Sequence, residues 1–125
     1  MTKRRVSTGA PWESKYGYSR AVRAGDAIAV AGTTASGPDA YAQATAALAI
    51  IEKALDELGS SMSGVVRTRM YVVNMDDADA VGRAHGEAFG DIRPASTMVE
   101  VRRLISPDLL VEIEADAVCR SGEST

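Results

Sequence analysis

Val111-Glu112-Ile113-Glu114-Ala115-Asp116-Ala117 alternates apolar and acidic residues with a period of two. That period belongs to a β-strand, with Val111, Ile113, Ala115 and Ala117 on one face and Glu112, Glu114 and Asp116 on the other. Isolated charges are costly to bury, so the acidic face must meet solvent, cations on neighbouring strands or a ligand in a polar cleft. Just upstream, Arg93-Pro94-Ala95-Ser96-Thr97-Met98-Val99-Glu100-Val101 reads as a second strand that opens after a proline turn.

Working outward, Ala44, Ala47, Leu48, Ile51, Ala54, Leu55 and Leu58 recur at three- and four-residue steps and predict an amphipathic helix from Ala44 to Leu58. Gly37-Pro38-Asp39 supplies its turn and cap, and Gly59 its stop. Val81, Ala84, His85, Ala88 and Phe89 form the stripe of a second helix, capped by Asp76 or Asp77 and ended by Gly90. Strand-like runs cover Arg5 to Thr8, Ser19 to Val22, Ala27 to Gly32, Val65 to Val73, Thr97 to Leu104 and Leu110 to Val118, with Arg23-Ala24-Gly25-Asp26 as a hairpin turn. The order predicts an α+β fold, a mixed sheet with both helices packed on one face. On the other face Arg67 and Arg69, Glu100 and Arg102, and the three acids of the last strand are expected to neutralise one another. A face so charged, yet interrupted by Tyr71, Val73 and Met98, predicts an oligomer with polar clefts at its seams.

The chain has 125 residues, 46% of them apolar, which suits a single domain over 1–125. A net charge of −3 argues against a nucleic-acid partner, since the only basic run, Lys3-Arg4-Arg5, reads as a solvated tail. Ser121-Gly122-Glu123-Ser124-Thr125 reads as a disordered tail. One cysteine, Cys119, allows no internal disulfide. No apolar run has the length of a secretory signal or membrane span, so the expectation is a cytoplasmic protein without a membrane partner. His85, the single histidine, lies on an apolar stripe and reads as a packed side chain; no second histidine offers metal-ligand spacing.

Several segments, in order, resemble the Rid family, the YjgF-type reactive intermediate deaminases. They are Tyr18-Ser19-Arg20-Ala21-Val22, Arg23-Ala24-Gly25-Asp26 and Val30-Ala31-Gly32; then Gln43, Leu58-Gly59, Val65-Val66-Arg67-Thr68 and Met75-Asp76-Asp77; and finally Arg93-Pro94-Ala95, Val99-Glu100-Val101 and Val111-Glu112-Ile113-Glu114-Ala115. The resemblance implies a chorismate-mutase-like α+β fold and a homotrimer with a small-molecule cleft at each subunit interface. It also implies hydrolysis of amino-acid-derived enamines and imines to a 2-oxo acid and ammonia, with no metal or organic cofactor.

Glu112 matches the family's water-positioning glutamate and Tyr18 its cleft tyrosine. Gly32, Thr33, Ser96, Thr97 and Met98 are the expected substrate contacts. Three of them have a plainer alternative: an ion pair with Arg67, Arg69 or Arg102 for Glu112, a half-buried hairpin aromatic for Tyr18, and a relieved strand end for Gly32. The family's carboxylate-binding arginine directly follows the Pro-Ala step, where this chain has Ser96. Hydrogen bonds to charged groups are worth about 1.5–3 kcal/mol, so a hydroxyl cannot copy that fork. Arg102 lies six residues, or roughly 20 Å of strand, beyond Ser96. Arg20, two residues from Tyr18, is the candidate for a relocated anchor. The expected function is therefore hydrolysis of an enamine or imine other than the usual 2-imino acids, or a non-catalytic ligand-binding or regulatory trimer.

Overall fold

The computed structural model describes residues 3–119, and the expected tail over 121–125 lies outside them. Six strands form one sheet: β1 (Lys3–Val6), β2 (Ala21–Ala24), β3 (Ala27–Thr33), β4 (Val65–Val72), β5 (Ala95–Glu100) and β6 (Val111–Val118). Their order across the sheet is β1-β2-β3-β6-β4-β5. Three helices accompany them: α1 (Pro11–Tyr16), α2 (Ala40–Glu57) and α3 (Ala78–Phe89).

β6 is antiparallel to both β3 and β4, so those two strands run parallel and α2 is the crossover between them. β4 and β5 are parallel neighbours joined through α3. Two right-handed crossovers that advance in the same direction across a sheet deposit their helices on the same face. The expectation of a mixed sheet with both long helices on one side therefore has a topological cause. The strand periodicity supplies the matching apolar surface. Val111, Ile113, Ala115 and Ala117 are each at most 2% exposed, and they stand opposite Val72, Met70, Thr68 and Ile28. From α2, Ala44, Ala47, Leu48, Ile51, Ala54 and Leu55 close the core as the spacing predicted.

The helix ends differ in part from expectation. Asp39 does cap α2, its carboxylate accepting from the Ala42 N–H at 2.8 Å, which starts the helix four residues early. Gly59 (φ 79) follows its end. At α3, Asp77 makes no side-chain cap bond, and Asn74 instead accepts from the Asp76 N–H at 2.9 Å. Gly90 stays right-handed; the reversal comes at Arg93 (φ 55), after the Ile92 and Arg93 amides have both closed onto the Phe89 carbonyl.

The basic run at the start is not a loose tail. Lys3–Val6 is the edge strand β1, and Arg4 Nη2 donates to the Glu57 carbonyl at 2.9 Å. Arg23 Nη1 does the same to Leu58 at 2.7 Å. Two guanidinium groups thus meet the carbonyls at the negative end of the α2 dipole. Two further features shape the end of the sheet where β3 finishes and β6 begins. The short helix α1 sits between β1 and β2, starting with Pro11 and stopped by Gly17 in the left-handed region (φ 77). Buried Gln43 pins the β5–β6 loop: its amide donates to Asp108 and Gly37 carbonyls at 3.0 and 3.1 Å, and its oxygen accepts from the Leu110 N–H at 2.8 Å.

Candidate functional site

The sheet face away from α2 and α3 carries the acids of β6, and strand register decides their partners. Arg67 stands opposite Asp116, Arg69 opposite Glu114, and Tyr71 opposite Glu112. Arg69 Nη1 lies 3.4 Å from Asp116 and 3.8 Å from Glu114, and the Tyr71 hydroxyl donates to Glu114. The expected neutralisation is therefore real for two acids. Glu100 does not share this face; it pairs in register with Val72 and accepts from the Met75 N–H at 2.8 Å on the other side of β5.

Glu112 is left without a hydrogen-bond or ion-pair partner among the described residues: Tyr71, opposite it, donates to Glu114, and Arg69 is shared by Glu114 and Asp116. Burial pushes its carboxyl pKa up, the nearby Glu114 charge pushes the same way, and Arg20 pulls it partly back. Its carboxylate occupies the space over Gly32: a Cβ built there would stand 2.1 Å from Glu112 Oε2. Glycine at this position is what allows the acid to lie against β3.

Tyr18, Arg20, Gly32, Thr33 and Glu112 line one open cavity of about 1230 Å³, with Glu114 at its wall. Arg20 is 7% exposed. Its Nη1 donates to the Gly32 carbonyl at 2.7 Å and to Thr33 Oγ1 at 3.0 Å, and its guanidinium lies 5.7 Å from the Tyr18 ring centroid. Nη2 has no protein hydrogen-bond partner among the described residues. Thr33 is buried, its hydroxyl donating to the Ala31 carbonyl while accepting from Arg20, so that hydroxyl is committed to holding the arginine.

Behind Arg20 stands Glu13 of α1, only 4% exposed, with Oε2 at 3.9 Å from Arg20 Nε. Burial pushes the Glu13 pKa up, but hydrogen bonds from the Thr8 and Ser7 hydroxyls at 2.6 and 2.8 Å outweigh it, and the Arg20 charge adds to them. The carboxyl is held below its ordinary range. Sequence reasoning missed Glu13 and Trp12, which also lines the cavity, because α1 is shorter than two turns and shows no periodicity. The available signal was Pro11 at a helix start followed by Gly17 at a helix stop.

Ser96, Thr97 and Met98 do not line this cavity. β5 is an edge strand, and its register puts Ser96 opposite Thr68 and Met98 opposite Met70, on the helix side; Thr97 stands opposite Arg69 on the open face. The buried Thr68 hydroxyl bridges Ser96 Oγ and His85 Nε2, both at 2.8 Å. His85 packs against Phe89, and burial lowers its pKa, so the ring is neutral near pH 7. Cys119 is buried, its thiol donating to the Gly59 carbonyl. Among the described residues no group of three or more His, Cys, Asp or Glu is placed to hold a metal, and no helix is long and apolar enough to cross a membrane.

The family model described as Endoribonuclease L-PSP matches residues 8–119. An uncharacterised protein of Streptomyces coelicolor is 41% identical over 121 residues, covering 91% of this chain and 90% of its own. The 3-aminoacrylate deaminase of Acinetobacter baylyi is 33% identical over 79 residues, 63% of this chain and 62% of its own. Among solved structures, a Mycobacterium tuberculosis protein described as a member of the YjgF/YER057c/UK114 family superposes with a TM-score of 0.93 at 52% identity, over 94% of this chain and 100% of its own. A model match over nearly all the described residues, with half-identity to a solved member on the same fold, means that this chain belongs to the Rid (YjgF/YER057c/UK114) family.

Proposed function

We propose that this protein hydrolyses the C–N bond of a small anionic enamine or imine in the cavity around Glu112, releasing a carbonyl product and ammonia. The observation that carries the reading is Glu112 itself, an unpaired carboxyl with raised proton affinity that shares a cavity with a guanidinium edge and a phenol. A carboxyl with raised proton affinity serves as acid in one step and as base in the next. In its acid form Glu112 gives a proton to the enamine carbon, the C=C pair forms the new C–H bond, and the nitrogen lone pair makes C=N⁺. As water attacks the carbon of that C=N⁺ group, the Glu112 carboxylate takes a proton back. The carbinolamine then passes its hydroxyl proton to nitrogen through solvent, the C–N bond breaks, C=O forms and ammonia leaves.

In this reading Arg20 Nη2 holds the anionic group and Tyr18 orients the water. Gly32 makes room for the acid, and Thr33 fixes Arg20. The deaminase relative supports the reaction class. Self-association into a homotrimer would cover the open sheet face, and Ser96, Thr97 and Met98 would then reach substrate only from a neighbouring protomer. The endoribonuclease description of the family model fits this cavity less well, because Glu112 and Glu114 repel a phosphodiester backbone.

The test is ammonium release from 2-aminoacrylate and 3-aminoacrylate generated in a coupled assay. Loss of a general acid–base costs about 10²–10⁴-fold, so Glu112→Gln should fall by that factor. A Glu112→Gln protein as active as the native one overturns the mechanism. Saturable binding of these compounds without turnover by the native protein would make it a ligand-binding member instead. Light scattering should give three times the 13.1 kDa chain mass, and a monomeric mass would overturn the trimer.

A further inference from the structure

The cavity is far larger than a three-carbon enamine requires, since pockets of roughly 300–1,000 Å³ accommodate drug-sized ligands. Part of its lining goes unused by the hydrolysis: a stretch made by Trp12 of α1, Val6 of β1, and Ile50 and Ala54 of α2, with Lys53 and Glu57 also on the wall. Trp12 is 41% exposed, yet its ring is held in place. It stacks on Tyr16 with centroids 5.7 Å apart and planes within 9°, and the Lys15 ammonium lies 5.6 Å from the indole centroid. An aromatic surface fixed in advance loses little side-chain freedom when a ligand lies on it.

We propose that this stretch is an apolar subsite, with Trp12 and Ile50 as its specificity-determining residues, for a ligand whose carboxylate is held at Arg20 and whose body is aromatic or branched aliphatic. Carrying such a body on the substrate rests on the hydrolysis reading above; the subsite itself rests on the cavity and the fixed indole. Apolar area removed from water drives the preference, and even one methylene in a fitted apolar pocket is worth about tenfold or more.

Trp12 is the chain's single tryptophan, so its fluorescence reports on the subsite directly. The full chain is titrated with 3-phenylpropanoate and with propanoate, and affinities are measured in parallel by calorimetry. The expected result is a saturable change in indole emission with 3-phenylpropanoate and at least about tenfold tighter binding than propanoate. Ile50→Glu, with its fold checked by circular dichroism, should weaken 3-phenylpropanoate by a similar factor, and Trp12→Ala, followed by calorimetry, should do the same. Equal affinity for the two acids, binding without an emission change, or Ile50→Glu and Trp12→Ala proteins that both keep the preference would each overturn the subsite. Ammonium release from phenylalanine-derived and alanine-derived imines separates the two readings. Turnover of neither imine, with the binding preference intact, removes the hydrolysis and leaves the subsite. Equal turnover of both, without the preference, removes the subsite and leaves the hydrolysis.

Discussion

Replacing Gly32 with alanine tests whether the Glu112 carboxylate lies where the structure puts it. The new methyl would stand 2.1 Å from Oε2, 2.9 Å from Cδ and 3.3 Å from Cγ of Glu112, whereas ordinary contact begins near 3.4 Å. The oxygen must therefore retreat by about 1.3 Å, and because it is the tip of a flexible side chain it can do so without moving the backbone. A displaced rotamer costs about 0.5–1.5 kcal/mol. Gly32 has no positive φ, so alanine there also restrains the unfolded chain and contributes about 0.4–1 kcal/mol of stability. The two effects nearly offset, and Gly32→Ala should change unfolding free energy by no more than about 1 kcal/mol. In a Glu112→Ala background the clash is absent, and the same substitution should be stabilising. A double-mutant cycle by urea unfolding should therefore give a coupling of about 0.5–1.5 kcal/mol. In parallel, ¹³C NMR should show the Glu112 titration midpoint falling toward the ordinary carboxylate range as the group swings toward solvent. A coupling near zero together with an unchanged midpoint would refute the placement.

Glu112→Gln should stabilise the protein at neutral pH. The folded carboxyl binds its proton more tightly than the unfolded one, so stability from this group is present below the unfolded pKa near 4.5 and lost as pH rises through the folded pKa; urea unfolding across pH 4 to 8 should show variant and native curves converging at the acid end. Glu13 works in the opposite sense, its stabilisation present above the ordinary glutamate pKa and lost as pH falls through the depressed one. Glu13→Gln should cost about 1–3 kcal/mol at pH 7, with the deficit shrinking on acidification; a deficit independent of pH would contradict the assignment. Thr68→Val removes a fully buried hydroxyl that bridges His85 and Ser96, and thermal melts should show a loss of about 1–3 kcal/mol. Ser96→Ala, at an exposed position, should cost less than about 1 kcal/mol by the same measurement.

The elements legible in the sequence are those whose periodicity meets a one-sided environment. β6, β4, α2 and α3 each bury one face, so alternation or three-four spacing marked them. β5 has no such contrast: it is an edge strand exposed along most of its length, and nothing in Ala95–Glu100 says which side Ser96 takes. Its phase comes from pairing with β4, a contact that local sequence does not encode. The same reason hid the unpaired state of Glu112. Three acids and three candidate arginines were visible, but only the register shows Arg69 occupied by Glu114 and Asp116. Arg20 was readable as a neighbour of Tyr18, whereas the buried carboxylate behind it depended on a six-residue helix marked only by its proline and glycine.

The tyrosine facing Glu112 across the ladder has a consequence for how acid strength is inherited in such a sheet. β6 offers its acids at three consecutive positions of one face, and β4 answers with Arg67, Arg69 and Tyr71. The slot opposite the cavity acid is held by a neutral phenol that spends its proton on Glu114. Tyr71 is not among the residues lining the cavity, yet an arginine in its place would pair with Glu112 and draw its proton affinity down. The cavity walls would be untouched while their acid became a spectator. On the proposed hydrolysis, sorting competent members of the family from silent ones means comparing the strand next door as well as the cavity itself.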